Sequence, residues 1–79
     1  MNIADTSNYT IRVSNDVYYI KNNTTGNLEY SLYKENQSLS LIYTETLTSL
    51  EEAQLLFSGD GIYKVYVDDD IVELRYYLQ

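Results

Sequence analysis

The sequence predicts an all-β domain, a small sandwich or partly open barrel of six to seven antiparallel strands with one short helix near residues 49–57. Three observations carry this. Apolar and polar residues alternate with period two along most of the chain. The alternating runs are short and recur at roughly 8–12 residue intervals with turn signals between them. Ten of the 79 residues are tyrosine, a residue suited to pleated, half-buried surfaces.

The first run sets Tyr9, Ile11 and Val13 against Thr10 and Arg12, and Ser14-Asn15-Asp16 turns it into Val17-Tyr18-Tyr19-Ile20, a hairpin. Asn22-Asn23-Thr24-Thr25-Gly26-Asn27 reads as a loop, since Asn and Gly accept positive φ and Asn competes for backbone hydrogen bonds. Leu28, Tyr30 and Leu32 then alternate with Glu29, Ser31 and Tyr33. Lys34-Glu35-Asn36-Gln37 turns the chain, and Leu39, Leu41 and Tyr43 share the next apolar face.

The period changes after Thr46. Leu47, Leu50, Ala53, Leu56 and Phe57 follow helical spacing. Thr48 and Ser49 each precede a glutamate by three residues, Glu51 and Glu52, as in a capping box, and Gly59 is a suitable stop. A helix over about 49–57 is the first reading and a strand the fallback. Alternation resumes at Ile62-Tyr63-Lys64-Val65-Tyr66-Val67. Asp68-Asp69-Asp70 is a turn, and Val72, Leu74, Tyr76 and Leu78 oppose Glu73, Arg75 and Tyr77 in a last strand running to the end of the sequence. The length suits one domain over residues 1–79, of a size that leaves stability marginal.

Composition restricts the chemistry. There is no histidine, cysteine, tryptophan or proline, so neither zinc sites nor the usual nucleophile–histidine sets can be built, and a non-enzymatic role is expected without metal or cofactor. A facing carboxylate pair of glycosidase type needs a cleft that so small a fold hardly accommodates. Asp68-Asp69-Asp70 lacks the spacing and the glycine of a calcium loop and reads as a solvated turn. The amino-terminal residues lack the pattern of a secretion signal, and no apolar run reaches the roughly 18 residues of a membrane span, so a soluble protein is expected. Asn-X-Ser/Thr triplets beginning at Asn8, Asn22, Asn23 and Asn36 are accordingly read as turn composition.

A net charge of −7 disfavours direct contact with nucleic acid or an anionic membrane. Residues 1–40 carry four acids against Arg12, Lys21 and Lys34, whereas residues 41–79 carry eight against Lys64 and Arg75. Partners are therefore expected to be proteins.

Gly59-Asp60-Gly61-Ile62-Tyr63 resembles the entry into strand F of immunoglobulin-like sandwiches, where a tyrosine hydroxyl bonds back to the backbone at a corner. Val65 stands where immunoglobulin domains carry a cysteine. Together with the Tyr- and Asn-rich strands, the same segment is similar to small β-domain proteins of tailed bacteriophage virions. That likeness implies a tail, baseplate or head accessory part, located in the virion or in the host cytoplasm during infection, whose partners are other virion subunits or copies of itself.

Two surfaces follow as candidates. One is aromatic: Tyr33 and Tyr66 fall on the phase opposite their aliphatic neighbours, and each of the doublets Tyr18-Tyr19 and Tyr76-Tyr77 puts one ring on each face. Tyr33, Tyr66, Tyr77 and Arg75 are thus candidates for protein contact, whereas Tyr9, Tyr30, Tyr43 and Tyr63 are core or corner residues. The other is acidic: Glu51, Glu52, Asp68, Asp69, Asp70 and Glu73, with Glu45 and Asp60, can imitate nucleic-acid phosphates and occupy a basic groove of a host enzyme.

Overall fold

The computed structural model describes residues 1–78, which contain eight strands and no helix. They are β1 (Asn2–Asp5), β2 (Tyr9–Ser14), β3 (Val17–Asn22), β4 (Leu28–Glu35), β5 (Leu39–Leu47), β6 (Glu52–Gln54), β7 (Gly61–Val67) and β8 (Asp70–Tyr76). They form two antiparallel four-stranded sheets, ordered β1-β2-β3-β6 and β5-β4-β7-β8, the strand inventory of a small β-sandwich. By pairing, β2, β3 and β6 take the places of strands A, B and E of an immunoglobulin-like order, and β5, β4, β7 and β8 those of C′, C, F and G, with β1 added before A.

The chain divides into two compact units, one made of Met1–Leu28 with Thr46–Leu55, the other of Glu29–Glu45 with the segment from Leu56 onward. In the first unit the β2–β3 hairpin turns on Asn15 and Asp16, both at positive φ (51° and 64°), the conformation that two-residue hairpin loops need. Tyr9, Ile11 and Ile20 are buried on one face of the sheet, and Leu47 and Leu55 of this unit are buried as well. Asn22, fully buried at the end of β3, is the polar centre of this unit. Its Nδ2 lies 2.8, 2.9 and 3.1 Å from the carbonyl oxygens of Gly26, Thr48 and Leu47, and its Oδ1 accepts from the N–H and the hydroxyl of Thr24. The loop expected over residues 22–27 thus begins on a structural residue.

The helix expected at 49–57 is absent, and its starting signal is spent on a turn. Glu51 Oε1 does accept from the Thr48 N–H (2.9 Å) and hydroxyl (3.1 Å), as in a capping box. Leu50, however, takes a left-handed φ of 61°, which a right-handed helix cannot continue through. Glu52–Gln54 instead pairs with β3, Ala53 falling opposite buried Ile20, and the Leu55 N–H donates to Tyr18 O. A nine-residue helix is marginal by itself, whereas pairing satisfies the open edge of β3. The apolar set that suggested the helix is accordingly scattered, with Leu50 and Leu56 exposed.

In the second unit Tyr30, Leu32, Tyr63, Val65, Val67 and Leu74 are buried on one face. Tyr63 Oη donates to Gly59 O (2.7 Å) and accepts from the Ser58 N–H (2.9 Å), a tyrosine corner on the strand in the F position. Lys34 closes this corner: its ammonium donates to Ser58 O, and its Cε lies 3.0 Å from where a side chain at Gly61 would begin. Glycine fits there for that reason and because φ is 152°. Tyr43 is half-buried, its hydroxyl bonded to that of Tyr30 and accepting from the Leu56 N–H. Leu39 and Leu41, expected on the same apolar face, are exposed on edge strand β5. The last strand ends at Tyr76, two residues earlier than the alternation suggests, where the Leu78 N–H turns to Asp60 Oδ1 (2.8 Å).

Candidate interaction surface

The candidate surface is the face of the β5-β4-β7-β8 sheet opposite its buried residues. Period two decides its membership. On β4, buried Tyr30 and Leu32 leave Ser31, Tyr33 and Glu35 on the other face; on β7, buried Tyr63, Val65 and Val67 leave Ile62, Lys64 and Tyr66; on β8, buried Leu74 leaves Ile71, Glu73 and Arg75.

Register then sets the neighbours. Tyr33 lies opposite Lys64, and Tyr66 opposite Ser31, so the two tyrosines are diagonal neighbours with ring centroids 4.7 Å apart. On its other side Tyr66 faces Ile71, which is 57% exposed, extending an aromatic and apolar row across β4, β7 and β8. Ions border the row. Lys64 Nζ binds Glu35 at 2.9 Å, and this hydrogen bond raises the lysine pKa from its ordinary value. Glu73, opposite Lys64, lies 3.7 Å from Arg75, and both are well exposed.

Tyr33, Tyr66 and Arg75 thus share one face. Tyr77 follows the end of β8 and is exposed, whereas Tyr76 is half-buried and stacked on Phe57 at 4.5 Å. The second doublet divides as expected. In the first, Tyr18 lies opposite Val13 and Tyr19 opposite Arg12, so the rings take opposite faces, but both are half-buried, Tyr19 beneath the Arg12 guanidinium at 4.3 Å. Ile71 was missed by sequence reasoning, although extending the β8 parity by one residue identifies it.

The acidic set is divided between the two units. Asp68, Asp69 and Asp70 are exposed at the β7–β8 turn, with Asp68 at positive φ, and Glu73 lies on the outer face of β8. Glu51 and Glu52 belong to the other unit and are engaged there, Glu51 by Thr48 and Glu52 by Arg12. Among the described residues no three acids form a group able to hold a metal ion.

Arg12 grips Glu52 with both arms of its fork, Nε to Oε2 at 2.9 Å and an outer nitrogen to Oε1 at 3.0 Å, reaching from β2 across β3 to β6. The hydrogen bond from Arg12 is the main cause that lowers the Glu52 pKa from its ordinary value, with desolvation opposing it and the guanidinium charge adding to it. A lowered folded-state pKa means that the contribution is complete above the unfolded value and is lost as pH falls through the folded one. Glu52→Gln is therefore expected to be less stable than the native chain at about pH 7, with the difference narrowing as pH falls through the folded-state value, as read from urea melts over an acid pH series.

No protein-family model, curated protein or solved structure matches the chain.

Proposed function

We propose that this chain is a non-catalytic interaction module that binds protein through the outer face of its β5-β4-β7-β8 sheet. The observation that carries the proposal is the Tyr33–Tyr66 ring pair continued by Ile71, an apolar row with ions at its border. Tyrosines with large contact area and few rotatable bonds, rimmed by charge, form the usual anatomy of a protein contact. The setting that the strand-F-like segment and the Tyr- and Asn-rich strands suggest is a bacteriophage virion, with the chain as a tail, baseplate or head accessory part.

Mass spectrometry of purified particles is expected to find the chain at fixed stoichiometry, and Tyr33→Ser with Tyr66→Ser to reduce its incorporation at least tenfold without unfolding it. Absence from particles, or unchanged incorporation of the double variant, overturns the proposal.

A second reading, an acidic inhibitor that imitates nucleic acid and blocks a host enzyme, draws on the exposed turn Asp68-Asp69-Asp70. Under it, changing these three residues to lysine abolishes salt-sensitive binding to a basic host protein, and the tyrosine changes are silent. Engagement of Glu51 and Glu52 within their own unit leaves that reading fewer available charges.

A further inference from the structure

We infer that β8 is a self-pairing edge, and that a second copy of this chain adds its own β8 antiparallel to it about a two-fold axis through Leu74. This deepens, and rests on, the reading of the chain as a protein-contact module.

The four edge strands differ in what they offer. β1 has a register irregularity between Asn2 and Ala4, which blunts an edge, and β6 has only three residues. β5 carries a single charge, Glu45, and no cation, so pairing with itself brings no opposite charges together. β8 is seven residues long, pairs with β7 in unbroken register from Asp70 to Tyr76, and presents an acid and a base, Glu73 and Arg75, on one face.

Symmetry selects the register. A sheet that continues into a second copy while keeping its two faces must pair residues of equal parity, so the axis passes through a residue. An axis through Glu73 sets that carboxylate against itself, and one through Arg75 opposes two guanidiniums, both unfavourable. An axis through Val72 sets Glu73 against an isoleucine. An axis through Leu74 sets Glu73 opposite Arg75 of the second copy, twice, and brings Ile71 to the end of the second copy's β8, where Tyr77 follows the strand. It therefore pairs opposite charges and brings two exposed apolar residues, each 57% exposed, toward each other. The row Tyr33, Tyr66, Ile71 then continues into the neighbour.

Sedimentation equilibrium at millimolar concentration is expected to give the mass of two chains for the native protein. It should give one chain for Arg75→Glu and for Glu73→Arg, and two again for the combined swap, with circular dichroism showing all four folded. Because the chain has no cysteine, a mixture of Glu73→Cys and Arg75→Cys proteins should form a disulfide dimer that neither variant forms alone. A native mass of one chain, retention of the dimer in either single reversal, or disulfide formation by one variant alone overturns the inference. If the native chain is monomeric while Tyr33 and Tyr66 still govern incorporation into particles, the self-pairing falls and the proposed function stands. If dimers form but particles lack the chain, the virion setting falls and the self-pairing stands.

Discussion

Replacing Asn22 with alanine is expected to cost about 3 kcal/mol of folding stability, a large share of the roughly 4–12 kcal/mol available to a chain of this length. The side chain is fully buried and has three carbonyl oxygens within reach of one amide nitrogen. That nitrogen has two hydrogens, so one is shared, and its removal takes this donor from the Leu47 carbonyl in the buried part of the site, whereas Gly26 O keeps the Thr24 hydroxyl and Thr48 O keeps the Glu51 N–H. Oδ1 disappears too, releasing the Thr24 N–H and hydroxyl. These bonds tie the start of the β3–β4 loop to the end of β5, two places far apart in sequence. Thermal denaturation should show a fall in Tm of about 15 °C. Asn22→Asp separates hydrogen bonding from packing, since it keeps the shape but turns an acceptor toward the carbonyls. Its deficit is expected to shrink as pH is lowered, because protonation restores one donor and removes a buried charge. A small, pH-independent loss in both variants would show that the amide is not a stabilising centre.

The second large effect is expected at Tyr63. Tyr63→Phe keeps the ring against Phe57, 4.7 Å away, and removes only the hydroxyl that joins Gly59 O and the Ser58 N–H. Both backbone groups then lose a partner in a part-buried corner, at a cost of about 2 kcal/mol. Tyr43→Phe is the internal comparison, since that hydroxyl also bridges a side chain and a backbone N–H but sits on an edge strand open to water. Urea melts should rank Tyr63→Phe as the more damaging. Equal and negligible effects would remove the corner as a source of stability.

The strands that could be read from the sequence were those whose alternation involves strong apolar residues, such as Tyr9, Ile11 and Val13 or Tyr63, Val65 and Val67. In these the side chains themselves decide which face is buried. β1 was not legible because Asn2-Ile3-Ala4-Asp5 has one large apolar residue. The strand is held largely by its backbone, including mutual bonds between Met1 and Val13. β6 was not legible because its three residues take their state from the open edge of β3. The helix signal at Thr48 and Glu51 was locally real, and only pairing between distant segments decided that it would close a turn.

The candidate surface was more accessible than the polar centre. Parity alone separates Tyr33 and Tyr66 from the core, and register brings the two rings together. Nothing in Asn22-Asn23-Thr24-Thr25-Gly26-Asn27 distinguishes the asparagine that points inward, because its role depends on carbonyls of residues 47 and 48. The Arg12–Glu52 grip has the same origin, forty residues apart in sequence.

Hydroxyl-radical footprinting of the free chain and of the chain in the proposed virion particle tests most directly which rings meet a partner. Tyr33, Tyr66 and Tyr77 are expected to react in the free chain and to be protected in the bound one, with Tyr9, Tyr30 and Tyr63 silent in both and Tyr19 unchanged. Protection confined to Tyr18 and Tyr19, with Tyr33, Tyr66 and Tyr77 equally reactive in both states, would contradict this expectation.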